Sequence, residues 1–105
     1  MNVHTYQTAG GKDLIFDYLD SLPKSERAKG YVILDRLERE GTEALKTLYT
    51  KPIDKKLWEI KFGDNRILYV LVDKDNIYLL HAFRKQKNKT EKFEREKAIK
   101  RAKQI

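Results

Sequence analysis

The residues with chemistry to offer are mostly cationic, and most lie late in the chain. Arg84, Lys85, Lys87 and Lys89 follow one another closely and present the kind of charge that phosphate oxygens bind. A lysine crowded by like charges has a lowered pKa and can serve as a base. Arg66 offers a rigid bidentate donor for a phosphate, and would serve equally as an ion-pair partner of Asp64 or Glu59. Lys61 stands across an expected turn from it, and its other reading is a solvated strand-end lysine. His81 is the one side chain of this set whose ordinary pKa, about 6.5, lies near neutrality. It is read either as a general acid or base or as a hydrogen-bonded core residue among Ile77, Leu79 and Phe83. Tyr69 and Trp58 carry rings able to stack on a base, although core packing is the favoured reading of Trp58. His4 is given no role.

Other chemistries are excluded by what the chain lacks. With no cysteine, disulfides, thiolate zinc sites and cysteine nucleophiles are ruled out. There is no glycine-rich phosphate loop, no metal-ligand spacing of His, Asp and Glu, and no Ser-His-Asp arrangement. Asp73 and Asp75 are turn residues and not an acid–base pair. No metal or other cofactor is expected.

The net charge is +7, and its placement says more than its size. Residues 1–83 carry 13 basic and 13 acidic side chains, whereas residues 84–105 carry 10 and 3. The whole excess therefore lies in the last 22 residues. Such asymmetry is an electrostatic footprint for a polyanion, most often nucleic acid. A membrane surface fits poorly, because Phe93 and Ile99 are the only large apolar residues of that segment before its last residue. No apolar run approaches the roughly 20 residues of a membrane helix. The first residues show no basic stretch leading into an apolar one, so a cytoplasmic location is expected.

At 105 residues, with six Tyr, four Phe and one Trp to pack, the chain is expected to form a single domain over residues 1–105. Val3, Thr5 and Tyr6 favour a short extended start. Asp13 can cap a helix that carries Leu14, Ile15, Tyr18, Leu19 and Leu22 at helical spacing. Pro23 ends it and permits a second helix, marked by Ala28, Tyr31, Val32, Leu34 and Leu37 and stopped at Gly41. The pattern weakens over residues 42–56: Leu45 and Leu48 fit one helical turn, and Pro52 breaks regular structure. Three strands are predicted next, over residues 57–62, 66–72 and 77–83, joined by turns at Gly63-Asp64-Asn65 and at residues 73–76. Period two puts Ile77, Leu79, His81 and Phe83 on one face of the third strand, with Tyr78, Leu80 and Ala82 on the other. Thr90 is a plausible cap for a last helix that ends near Lys103, with Glu91 and Glu94 suited to its positive end. The order is β-α-α-β-β-β-α, an α+β domain with a helix pair packed on a curved antiparallel sheet and a C-terminal helix.

The runs Leu57-Trp58-Glu59-Ile60-Lys61, Arg66-Ile67-Leu68-Tyr69-Val70 and Leu79-Leu80-His81-Ala82-Phe83-Arg84-Lys85, followed by Lys89-Thr90, resemble the phage-derived Gp49-like/HigB branch of the RelE/ParE toxin superfamily. Tyr6 and Phe16-Asp17-Tyr18-Leu19 add to the likeness, which covers almost the whole chain. The family strand motif often reads L-[WY]-E-[LI]-R with a second Arg opening the next strand. Lys61 stands where the first Arg is common, and Arg66 matches the second. The family loop often reads F-x-K-K-T-x-K-T-P. Phe83, Lys85, Lys89 and Thr90 match it, whereas Gln86, Lys87 and Glu91 depart from it.

The resemblance implies a small RelE/ParE-like fold and the toxin of a type II toxin–antitoxin pair. It implies cleavage of mRNA, usually on the translating ribosome and without a metal. It also implies a cognate antitoxin, in this branch typically with a helix-turn-helix DNA-binding domain, and a toxin–antitoxin hetero-oligomer. On this reading Arg66, Lys61, Lys85 and His81 are the candidate catalytic residues, and Arg84, Lys87, Lys89 and Tyr69 the candidate RNA contacts. Two other classes stay open: a ParE-like toxin acting on a protein such as DNA gyrase, and a non-catalytic RNA-binding module. Fold alone does not separate them.

Overall fold

The computed structural model describes residues 1–86 and 91–105. The elements run β1 (Asn2–Thr5), α1 (Leu14–Asp20), α2 (Lys24–Glu40), α3 (Thr42–Thr47), β2 (Tyr49–Asp54), β3 (Leu57–Phe62), β4 (Asn65–Asp73), β5 (Asn76–Arg84) and α4 (Lys92–Ala102). The fold is α+β, as expected. Its sheet has five strands in the order β1-β5-β4-β3-β2. Four neighbouring strands are antiparallel, and β1 runs parallel to β5, so the sheet is mixed and not purely antiparallel.

Local chemistry sets the helix ends. The Asp13 carboxylate accepts from the backbone N–H groups of Ile15 and Phe16 at 3.0 and 2.9 Å, which satisfies two donors that the first turn leaves open. Pro23 stands just before α2, and Gly41 ends it at φ 65°, a left-handed position that glycine takes without strain. The apolar stripes of α1 and α2 lie on one face of the sheet. Ile15, Leu19, Ile33, Leu34 and Leu37 pack there with Ile60, Phe62, Ile67, Ile77 and Leu79. The single helix α4 covers part of the other face, where Ala98 meets Leu57, Leu68, Leu80 and Phe83.

Two expectations need correction. Residues 49–54 form the edge strand β2, although Pro52 argued against regular structure there. Proline is tolerated at a sheet edge, where its missing N–H costs no ladder bond. The faces of β5 also do not alternate throughout. Leu68 pairs with His81 and Tyr69 with Leu79, which leaves Leu80 unpaired in a bulge. The extra residue turns His81 and Phe83 to the α4 face beside Leu80 and sends Ala82 to the helix-pair face. His81 is therefore not a neighbour of Ile77 and Leu79. The Thr90 cap lies outside the described residues, and α4 starts at Lys92.

Candidate functional site

The sheet is longer than α4 can cover, so the β2–β3 side of that face stays open. Register fills this opening with charge. Lys61 sits opposite Arg66 on β4 and opposite Tyr49 on β2, and Lys51 sits opposite Glu59. Because side chains two apart share a face, Tyr49, Lys51, Glu59, Lys61 and Arg66 all project to the same side. With Asp64, Lys85 and Gln86 they line a cleft of about 460 Å³. Among the described residues, four cations thus meet in one concavity around a single buried carboxylate.

Glu59 is only 2% exposed. Its carboxylate lies 3.6 Å from Arg66 Nε and 4.0 Å from Lys51 Nζ. Arg66 is itself buried, and its Nη1 donates to the carbonyls of Gly63 and Asn65 at 2.9 Å each. The guanidinium is fixed by the turn that precedes it, while its buried Nε has no hydrogen-bond acceptor among the described residues. Both readings of Arg66 from the sequence therefore meet in one place: it is an ion-pair partner of Glu59 and also lines the cleft.

Lys85 is placed by its backbone, which donates to the Asp64 carbonyl at 2.7 Å. Burial holds its ammonium below the ordinary lysine pKa. The Lys51 and Arg66 charges push it the same way, and the Glu59 carboxylate opposes them. A lysine so held is closer to giving up its proton than one in water.

The remaining candidates fall elsewhere. Arg84 points to the helix-pair side, where Nη2 donates to the Glu26 carboxylate at 2.9 and 3.2 Å and Nη1 lies 3.6 Å from Asp64. Asn65, fully buried, donates to the same Glu26 carboxylate and accepts from the Tyr18 hydroxyl. That chain of bonds ties α1 and α2 to the β3–β4 turn and to the end of β5, and so steadies the floor beneath Lys85. Tyr69 is 3% exposed and packs in the main core. Burial pushes its phenol up to about 12, and its ring has no open face for a base. Lys87 and Lys89 lie outside the described residues.

His81 lies under α4 and does not line the cleft. Arg101 Nη1 lies 3.3 Å from its Nδ1 and also donates to the Leu80 carbonyl at 2.9 Å. A guanidinium can only donate, so Nδ1 accepts and the ring proton sits on Nε2. That N–H donates to Glu94 Oε1 at 2.7 Å. Glu94, read from the sequence as a helix-dipole residue, is instead a buried partner of the histidine. Burial depresses the His81 pKa, with Arg101 and Lys97 adding to the effect against the pull of Glu94.

Sequence reasoning missed Tyr49 and Lys51, because β2 was not recognised as a strand. The alternation Tyr49-Thr50-Lys51 was the available signal, and Pro52 cut it short.

What such a cleft can do is bind a phosphate on several donors, place a lowered-pKa amine beside it and exclude part of the water. A comparison with curated proteins finds no match. A family model does match: Phage derived protein Gp49-like (DUF891), over residues 17–103, which takes in every element from α2 to α4 and all the described cleft residues. The chain belongs to this Gp49-like family, a toxin-like family related to the RelE and HigB toxins.

Proposed function

We propose that this chain is the toxin of a type II toxin–antitoxin pair and that it acts as an endoribonuclease on mRNA at the ribosome. The observation that carries the reading is the meeting of Lys51, Lys61, Arg66 and Lys85 in one cleft. Cleavage by RNA's own 2′-OH asks for what these residues offer. Lys85, neutral in the reactive form, takes the 2′-OH proton. The 2′-oxygen attacks the adjacent phosphorus, and the P–O5′ bond breaks. Arg66 donates to the non-bridging oxygens as their charge grows, in a partly dry site where such donors count most. Lys61 or Lys51 gives a proton to the departing 5′-oxygen. The products are a 2′,3′-cyclic phosphate and a 5′-hydroxyl, and the step balances with the chain's own groups. Dependence on the 2′-OH makes DNA a non-substrate. The family implies an antitoxin partner. We propose that this antitoxin carries a helix-turn-helix domain, joins the toxin in a hetero-oligomer and is acidic where it meets the basic segment, and that both act in the cytoplasm.

The test is primer extension on a reporter mRNA in a translating extract. Wild-type protein is expected to give discrete cuts that vanish without translation. Arg66→Ala should lower the cutting rate by about 10²–10³-fold. Lys85→Arg keeps the charge but cannot yield its proton, so it should fail as badly as Lys85→Ala if Lys85 is the base. Full activity in Lys85→Arg would reduce that residue to a phosphate anchor. Absence of cuts with growth still inhibited would move the function to a protein target.

A further inference from the structure

On the opposite face of β2 and β3 lies a second groove, of about 520 Å³, whose floor includes Trp58, Tyr69 and Leu71. Trp58 shares its strand face with Ile60 and Phe62, which are 0% and 8% exposed, yet Trp58 itself is 38% exposed. The rim carries Lys46, Lys55 and Lys56, and none of the described residues lining the groove is acidic. Lys46 is paired with Glu43 at 2.9 Å. Lys55 and Lys56 are exposed on the β2–β3 turn, where Lys55 takes a left-handed backbone at φ 48°. Thr50 lines both this groove and the cationic cleft. The two are separated by one edge strand, and Lys51 on that strand lines the cleft.

We infer that this groove is a second contact for single-stranded RNA. The substrate strand leaves the cleft over the β2 edge and stacks a base on Trp58, with Lys55 and Lys56 on the neighbouring phosphates. An exposed aromatic ringed by cations is how sequence-tolerant single-strand sites are built. Continuity with the cleft through Thr50 selects RNA over an acidic protein segment. The inference rests on the RNA-cleaving reading of the cleft and extends it to how the strand is held.

Trp58 is the only tryptophan, so its fluorescence reports on the groove directly. The probe is a series of 2′-O-methyl oligoribonucleotides, which bind but cannot be cut. Expected is quenching of Trp58, with affinity that rises with length until an oligomer spans both groove and cleft. Lys55→Glu/Lys56→Glu should abolish the quenching, and Trp58→Leu should weaken binding of the longer oligomers about tenfold. Melting of each variant at the wild-type temperature shows that the fold is kept. Arg66→Ala should lose cleavage yet still be quenched, which separates the groove from the cleft. Cleavage by wild type with no quenching at any length overturns the groove contact and leaves the cleft reading standing. Quenching by poly-glutamate and not by RNA overturns it in favour of a protein partner.

Discussion

Glu59 is the carboxylate around which the cleft's cations are arranged, and it sets two properties at once. Its charge offsets Arg66 and Lys51 at 3.6 and 4.0 Å, and it holds the Lys85 pKa higher than burial alone would leave it. Glu59→Gln keeps the shape and removes the charge. It should cost about 1–3 kcal/mol of stability, because the buried Arg66 loses a partner. It should also let Lys85 lose its proton at lower pH. If Lys85 is the base, the rise of cleavage rate with pH moves to lower pH in Glu59→Gln, and a pH–rate profile reads this directly. An unmoved profile would mean that the titrating base lies elsewhere. Much of this site is legible in the sequence, since Lys61, Arg66 and Lys85 stand at strand ends that two short turns must bring together. Tyr49 and Lys51 are not legible in the same way. Their place in the cleft depends on a strand that a proline disguises, and on register that only the folded sheet provides.

At the scale of elements, α4 is held on the sheet by a buried polar set more than by bulk. Ala98 is its only fully buried apolar side chain, while His81, Glu94 and Arg101 join it to β5 and to the bulge carbonyl. Neutral His81 fits this set. Its folded pKa lies below the ordinary value of 6.5, so as the pH falls the unfolded chain takes up the proton first. The stability tied to His81 is therefore full above about pH 6.5 and declines as the pH drops towards the folded pKa. Thermal melts from pH 7.5 to 5 should show this decline, and His81→Gln should flatten it. An equal slope in the two proteins would remove His81 from the account. Strict alternation along β5 cannot foresee this arrangement. A one-residue bulge changes every face after it without changing the composition, and nothing in the run Tyr78-Leu79-Leu80-His81 announces where the bulge falls. The spans of α1, α2, β3, β4 and β5 are readable because Asp13, Pro23, Gly41 and two tight turns mark them in local chemistry.

For the whole molecule, charge is divided between a nearly balanced body and a basic final segment, and the cleft lies where the two meet. If four cleft cations contact phosphates, the logarithm of affinity for an uncleavable RNA should fall with the logarithm of salt at a slope of about −3. That is a loss of roughly fifty-fold between 50 and 200 mM. A fluorescence titration at several salt concentrations measures it, and a slope near zero would leave the cleft without a polyanion to bind. The pairing of β1 with β5 has a further consequence. Asn2 lies beside Asn76, 74 residues later in the chain, and Lys85 follows soon after. During synthesis, the early strand has no partner until residues 76–79 have left the exit tunnel, and Lys85 emerges later still. A growing chain that has not yet released residue 85 thus holds only part of the cleft, and the cell making this protein meets the complete site only after that residue is free of the ribosome.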